Sequence, residues 1–150
     1  MGASLVLALR FALAAVFLVS GWEKAVNPSE NFLYVLQAYD VLPDALARLA
    51  AVVFPWIELG LGVSLALGLW LKAGLAGAVG VSGSLMMIVA QAIIRHLPID
   101  DCGCFGNLVH LPLRGVIFLD AALLAGALRC LGSLSAVRRF SVDRFFDPRV

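Results

Sequence analysis

The chain has 150 residues, 62% of them hydrophobic and only 14% charged, with a formal net charge of +1. So few charges cannot cover a soluble domain of this size, and so small a net charge gives no electrostatic footprint for nucleic acid. A lipid bilayer is the solvent that this composition fits.

Four apolar runs, at about 4–22, 46–71, 73–94 and 111–131, each approach the roughly 20 residues needed to cross a hydrocarbon core of about 30 Å. Together they predict one all-α membrane domain over residues 1–150, a polytopic bundle of four transmembrane helices. The first run is read as a span and not a secretory leader: no positive residue precedes it, Arg10 interrupts it, and no clear small-residue cleavage site follows. Arg10, near the start of that run, is expected to snorkel towards the headgroups.

After the first span, Asn27-Pro28-Ser29-Glu30 has the chemistry of a helix start, with Asn27 as cap and Pro28 in the first turn. Phe32, Val35, Leu36 and Tyr39 then recur at helical spacing, which predicts a short interfacial helix ending before Pro43. In the second span, Pro55 and Trp56 precede Glu58, a carboxylate near mid-span that needs a partner, a proton or water. An ion pair with Arg10 or a neighbouring helix is one reading of Glu58; proton handling or ligand binding is the other. Gly60, Ser64 and Gly68 in the second span, and Ala76, Gly80 and Ser84 in the third, form small-residue strips that predict a tight hairpin around Lys72. Gln91 and, in the fourth span, Asp120 extend polarity towards Glu58 from the far end, giving a candidate polar track; Asp120 could pair with Arg114 or face a wet cleft.

Between the third and fourth spans lies His96-Leu97-Pro98-Ile99-Asp100-Asp101-Cys102-Gly103-Cys104-Phe105-Gly106-Asn107. Two thiols one glycine apart can close a small, strained and readily reduced ring, which suits exchange better than a permanent staple. Asp100 and Asp101 disfavour a thiolate there, whereas Arg95, Arg114 or a protonated His96 favours one. Metal capture competes, since His96 and His110 flank the pair with five residues on each side and complete a soft two-sulfur, two-imidazole set. A purely structural disulfide is the third reading. Cys130, near the opposite end of the fourth span, is read as a packing cysteine.

Orientation follows the positive residues. Arg138, Arg139, Arg144 and Arg149 crowd the tail, against Arg95 and Arg114 beside the cysteine loop, so both termini are expected in the cytoplasm and the loop outside a bacterial inner membrane. Lys24 and Arg48 count against this orientation.

Asp101-Cys102-Gly103-Cys104-Phe105-Gly106 before the final span resembles the methylamine utilisation protein MauE family, within the wider MauE/DoxX-like redox-associated membrane proteins. Arg10 with Phe17, Gly21 and Lys24 resembles the family's first-span pattern, Tyr39 through Pro43 its first outer loop, and Pro55 with Glu58 its second-span signature. The resemblance implies a four-helix membrane protein that works with a thioredoxin-like partner in maturing disulfide-bearing envelope clients, in methylamine utilisation for the MauE branch. It would place Cys102 and Cys104 at the redox centre, as a thiol-disulfide oxidoreductase, with Glu58 and Arg10 supporting them. A membrane quinone as electron carrier is left open.

Overall fold

The computed structural model describes residues 3–97, 99, 112–137 and 141–142, and these are helical almost throughout. Six helices follow in order: α1 (Ala3–Val26), α2 (Ser29–Ala38), α3 (Asp44–Leu67), α4 (Leu71–Ile94), α5 (Leu113–Leu131) and the single turn α6 (Leu134–Val137). Three of them, α1, α3 and α4, are long and apolar enough to cross a membrane. The 19-residue α5 has the length of a span, but it carries Arg114, Asp120 and Arg129.

Helix α1 packs chiefly along α3, and α4 along α5, with α5 also against α1. The α1–α3 contact is close because glycines sit where the backbones meet. A Cβ on Gly21 would lie 2.8 Å from the Leu59 nitrogen and 2.9 Å from the Pro55 oxygen, and one on Gly62 would strike Leu18. Gly21→Ala should therefore force the helices apart and cost about 1–3 kcal/mol, read as a lowered unfolding midpoint of the detergent-solubilised chain. Gly60→Ala, where an added Cβ meets nothing within 4 Å, should leave that midpoint unchanged or raise it.

The predicted small-residue hairpin is placed differently. A Cβ on Gly80, like one on Gly60, would meet nothing; α3 and α4 approach through Ser64 against Gly74 and Leu61 against Gly77, nearer their turn. That turn is Gly68–Trp70 and not Lys72, which already belongs to α4. Gly68 takes the left-handed conformation (φ 72°) that ends α3, and its amide and that of Leu69 both donate to the Ser64 carbonyl. An apolar run conceals this stop, because Leu69 and Trp70 are themselves hydrophobic.

Helix α1 also runs past Trp22 to Val26. Asn27 closes it instead of opening α2: its side-chain amide donates to the Glu23 carbonyl at 2.7 Å and to Glu23 Oε1 at 2.8 Å. The short helix after the first span is present as α2, and Pro28 occupies its N-cap position.

Two apolar clusters fill the bundle. One gathers Leu13, Phe17, Leu65, Leu75, Ala78, Ala127 and neighbours; the other joins Tyr39, Val89, Ala92 and Val116. Apart from Arg10, which lies between Val6 and Leu13 of the first cluster, a set of buried polar residues on α1, α4 and α5 falls between the two: Ser20 and Lys24 beyond Phe17, Ser82 between Ala78 and Val89, and Asp120 between Val116 and Ala127. A polar layer thus separates two apolar ones, towards the end of the bundle from which the α4–α5 connection leaves.

Candidate functional site

The polar layer is centred on Glu58, which is 2% exposed. Lys24 Nζ donates to Glu58 Oε2 at 2.7 Å and to Ser20 Oγ at 2.6 Å, and the Ser20 hydroxyl faces Oε1 and Oε2 of Glu58 at 3.1 and 3.2 Å. Ser20 and Lys24 stand four residues apart on one face of α1, and the glycine contact at Gly21 brings that face within reach of α3. The ammonium also lies 5.3 Å from the ring centre of Phe32 on α2 and 5.8 Å from that of Phe54 on α3. Carboxylate, hydroxyl and two aromatic faces together replace the water that this ammonium loses.

Glu58 therefore has a buried ion-pair partner, but it is Lys24 and not Arg10. Arg10 is itself fully buried, so it does not snorkel. Its guanidinium donates to the carbonyls of Leu65 (2.6 Å), Ala66 (2.9 Å) and Val137 (3.1 Å). The first two are carbonyls that the end of α3 leaves without helical partners, and a cation there also meets the negative end of the helix dipole. The turn α6 covers this head group, so protein carbonyls take the place of lipid headgroups. Nearby, the Ser141 hydroxyl donates to the Gly68 carbonyl and the Val142 amide to the Leu67 carbonyl, which ties the C-terminal segment to the same helix end.

Asp120, 3% exposed, has no hydrogen-bond partner on Oδ2. No ion pair joins it to Arg114, which lies exposed in the first turn of α5. Asp120 lies instead within electrostatic reach of Lys24, Glu58 and Tyr39. Burial above all pushes the Tyr39 hydroxyl up to about 12, with a further push whenever Asp120 is ionised, so it remains a neutral donor at any physiological pH. The Oγ of Ser82 and both amide atoms of Gln91 are buried without partners as well.

Cys102, Cys104, Asp101 and His110 lie outside the described residues. His96 is exposed in the turn after α4, with φ 50°; Arg95 beside it pairs with Asp40 at 3.0 Å. Cys130 is buried, with its thiol 3.6 Å from the Val6 carbonyl. Among the described residues no group of three or more His, Cys, Asp or Glu gathers where a metal could sit.

Lys24, Ser20, Phe32 and Phe54 were not singled out as site residues by the sequence. A signal existed: Arg10, Phe17, Gly21 and Lys24 are spaced to share one face of a helix. Lys24 at the edge of the apolar run reads as a loop charge only when α1 is ended too early.

Residues 2–133 match the family described as methylamine utilisation protein MauE. The chain is similar to proteins named methylamine utilization protein MauE from Paracoccus denitrificans (32% identity over 116 residues, 75% of this chain and 60% of the relative), Methylorubrum extorquens (36% over 96 residues, 64% and 52%) and Paracoccus versutus (30% over 132 residues, 87% and 70%). It thus spans little more than half the length of the first two. No solved structure matches.

Proposed function

Because the chain belongs to the methylamine utilisation protein MauE family, we propose that it is a membrane thiol–disulfide redox protein that serves envelope-protein maturation through a thioredoxin-like partner. The observation that carries this reading is Cys102-Gly103-Cys104 itself, two thiols one residue apart in the connection between α4 and α5. Methylamine utilisation is the process served, an extension of the names its relatives carry.

In this reading α5 is the fourth span. Its three charges fit that assignment: Arg114 and Arg129 stand in its end turns, where long side chains reach the headgroups, and Asp120 is buried within the bundle. Four spans put both termini on one side, and the arginine-rich tail makes that side cytoplasmic. Lys24 no longer counts against this orientation, because Glu58 neutralises it inside the bundle. The cysteine pair then faces outward, where disulfide exchange proceeds, and α2 belongs to the same side of the membrane.

The exchange balances as follows. The Cys102 thiolate attacks one sulfur of a partner disulfide and displaces the other partner sulfur, which takes up a proton. Cys104, losing its proton, then attacks the Cys102 sulfur and releases the second partner thiol. Two electrons and two protons pass to the partner, and the same steps in reverse reduce the pair. Cys104→Ser should therefore stop the sequence at a mixed disulfide through Cys102, visible as a higher-mass band that collapses on reduction and identifies the partner. Thiol labelling of the purified chain before and after mild reduction, with metal content measured alongside, tests the alternative. Labelling that appears only after reduction, in metal-free protein, supports exchange. Thiols blocked until a chelator is added would replace it with metal binding at Cys102, Cys104, His96 and His110.

A further inference from the structure

We propose that Lys24, Glu58 and Asp120 form a proton-binding site inside the bundle, with the bound proton resting on Asp120. The inference goes beyond the cysteine reading and does not depend on it.

The site holds two carboxylates and one ammonium. Lys24 and Glu58 form a closed, neutral unit: the ammonium donates to Glu58 and Ser20, and Glu58 also faces the Ser20 hydroxyl. Asp120 stands outside this unit. No ion pair joins it to Lys24, its Oδ2 has no partner, and 97% of its surface is removed from solvent, the complement of its 3% exposure. Ionised, it would leave the layer with one uncompensated negative charge, and such a charge in a low-dielectric interior costs several kcal/mol.

A proton or a cation can remove that charge. Calcium takes 6–8 oxygen ligands and magnesium a full octahedral set, whereas only two carboxylates stand here and Glu58 is already engaged. No metal-sized cluster occurs among the described residues. The proton is what remains, and it needs no ligand set. The charges nearest Asp120 oppose one another: Lys24 from α1 attracts a carboxylate, Glu58 from α3 repels it, and the two are already paired with each other. Tyr39, which follows α2, is neutral, and α4 has its charged residues only at its ends, Lys72 and Arg95. A protonated Asp120 also gains a donor that an isolated carboxylate lacks, and Ser82 Oγ, a buried acceptor without a partner, lies in the same layer.

The test uses dicyclohexylcarbodiimide, an apolar reagent that adds to protonated carboxyl groups, on the full chain in lipid vesicles. Both Cys102 and Cys104 are replaced by serine, so that thiol adducts do not interfere and the result stands whatever the cysteines do. Peptide mass mapping should place the adduct on Asp120 at neutral pH and leave Glu58 unmodified. As pH rises the labelled fraction should fall, by about tenfold per unit once the site ionises. An adduct on Glu58 instead, or none on Asp120 at neutral pH, overturns the assignment. Suppression by sodium or potassium chloride at constant pH and matched ionic strength would also overturn it, by showing a cation where the proton is placed.

Discussion

Lys24→Met should lower the stability of the chain by about 3–5 kcal/mol, because it leaves the Glu58 carboxylate buried with no countercharge. Against a total of about 5–15 kcal/mol for an ordinary domain, that is enough to lose much of the folded protein at growth temperature. Glu58→Gln should be milder, since the amide oxygen still accepts from Lys24 and Ser20. Replacing both partners, Lys24→Met with Glu58→Met, should recover most of the loss, because an apolar pair leaves no group unsatisfied. Thermal unfolding of the parent chain, Lys24→Met, Glu58→Met and the double variant in one detergent measures the cycle. A coupling of about 2 kcal/mol or more is expected for groups in direct contact. Additive effects would mean that the pair contributes nothing as a pair, and the central contact of the site would be lost with it.

How much of this was legible in the sequence depends on the scale of the question. The long apolar runs mark the main helices, because burial in lipid or against other helices demands the same residues at every turn. Helix ends were harder. Gly68 stops α3 inside an uninterrupted apolar stretch, and Asn27, with the chemistry of an N-cap, turns back to close α1. Both choices are made by hydrogen bonds that composition does not record. Glu58 was conspicuous as a carboxylate with nowhere to go, but its partner was not. Either Arg10 or Lys24 could serve, and the choice is set by the register of α1 on α3, which Gly21 and Gly62 fix through backbone contact. Once that register is set, Lys24 meets Glu58 and Arg10 meets the end of α3. The cysteine pair is the opposite case: its spacing names the chemistry directly, yet nothing in the spacing says what the thiols face.

The separation of these two basic residues leads to the second large effect. Arg10→Met should release the end of the bundle away from the Lys24–Glu58 pair, where one guanidinium holds the carbonyls of Leu65, Ala66 and Val137. Bonds from a charged donor contribute about 1.5–3 kcal/mol each but are not additive here, because one side chain makes all three. A net loss of about 3 kcal/mol is therefore expected. Arg10→Lys separates charge from shape. An ammonium keeps the charge beside the α3 terminus but cannot fork to carbonyls on two elements, so it should destabilise nearly as much as methionine does. Hydrogen exchange locates the damage: the Val142 amide, which donates to the Leu67 carbonyl, should exchange about tenfold faster or more in both variants. In Lys24→Met the same amide should lose protection only as far as global stability falls. Full protection of Val142 in Arg10→Lys would mean that charge alone holds the C-terminal segment. The fork from α1 to α3 and α6 would then be incidental to how that end of the bundle is closed.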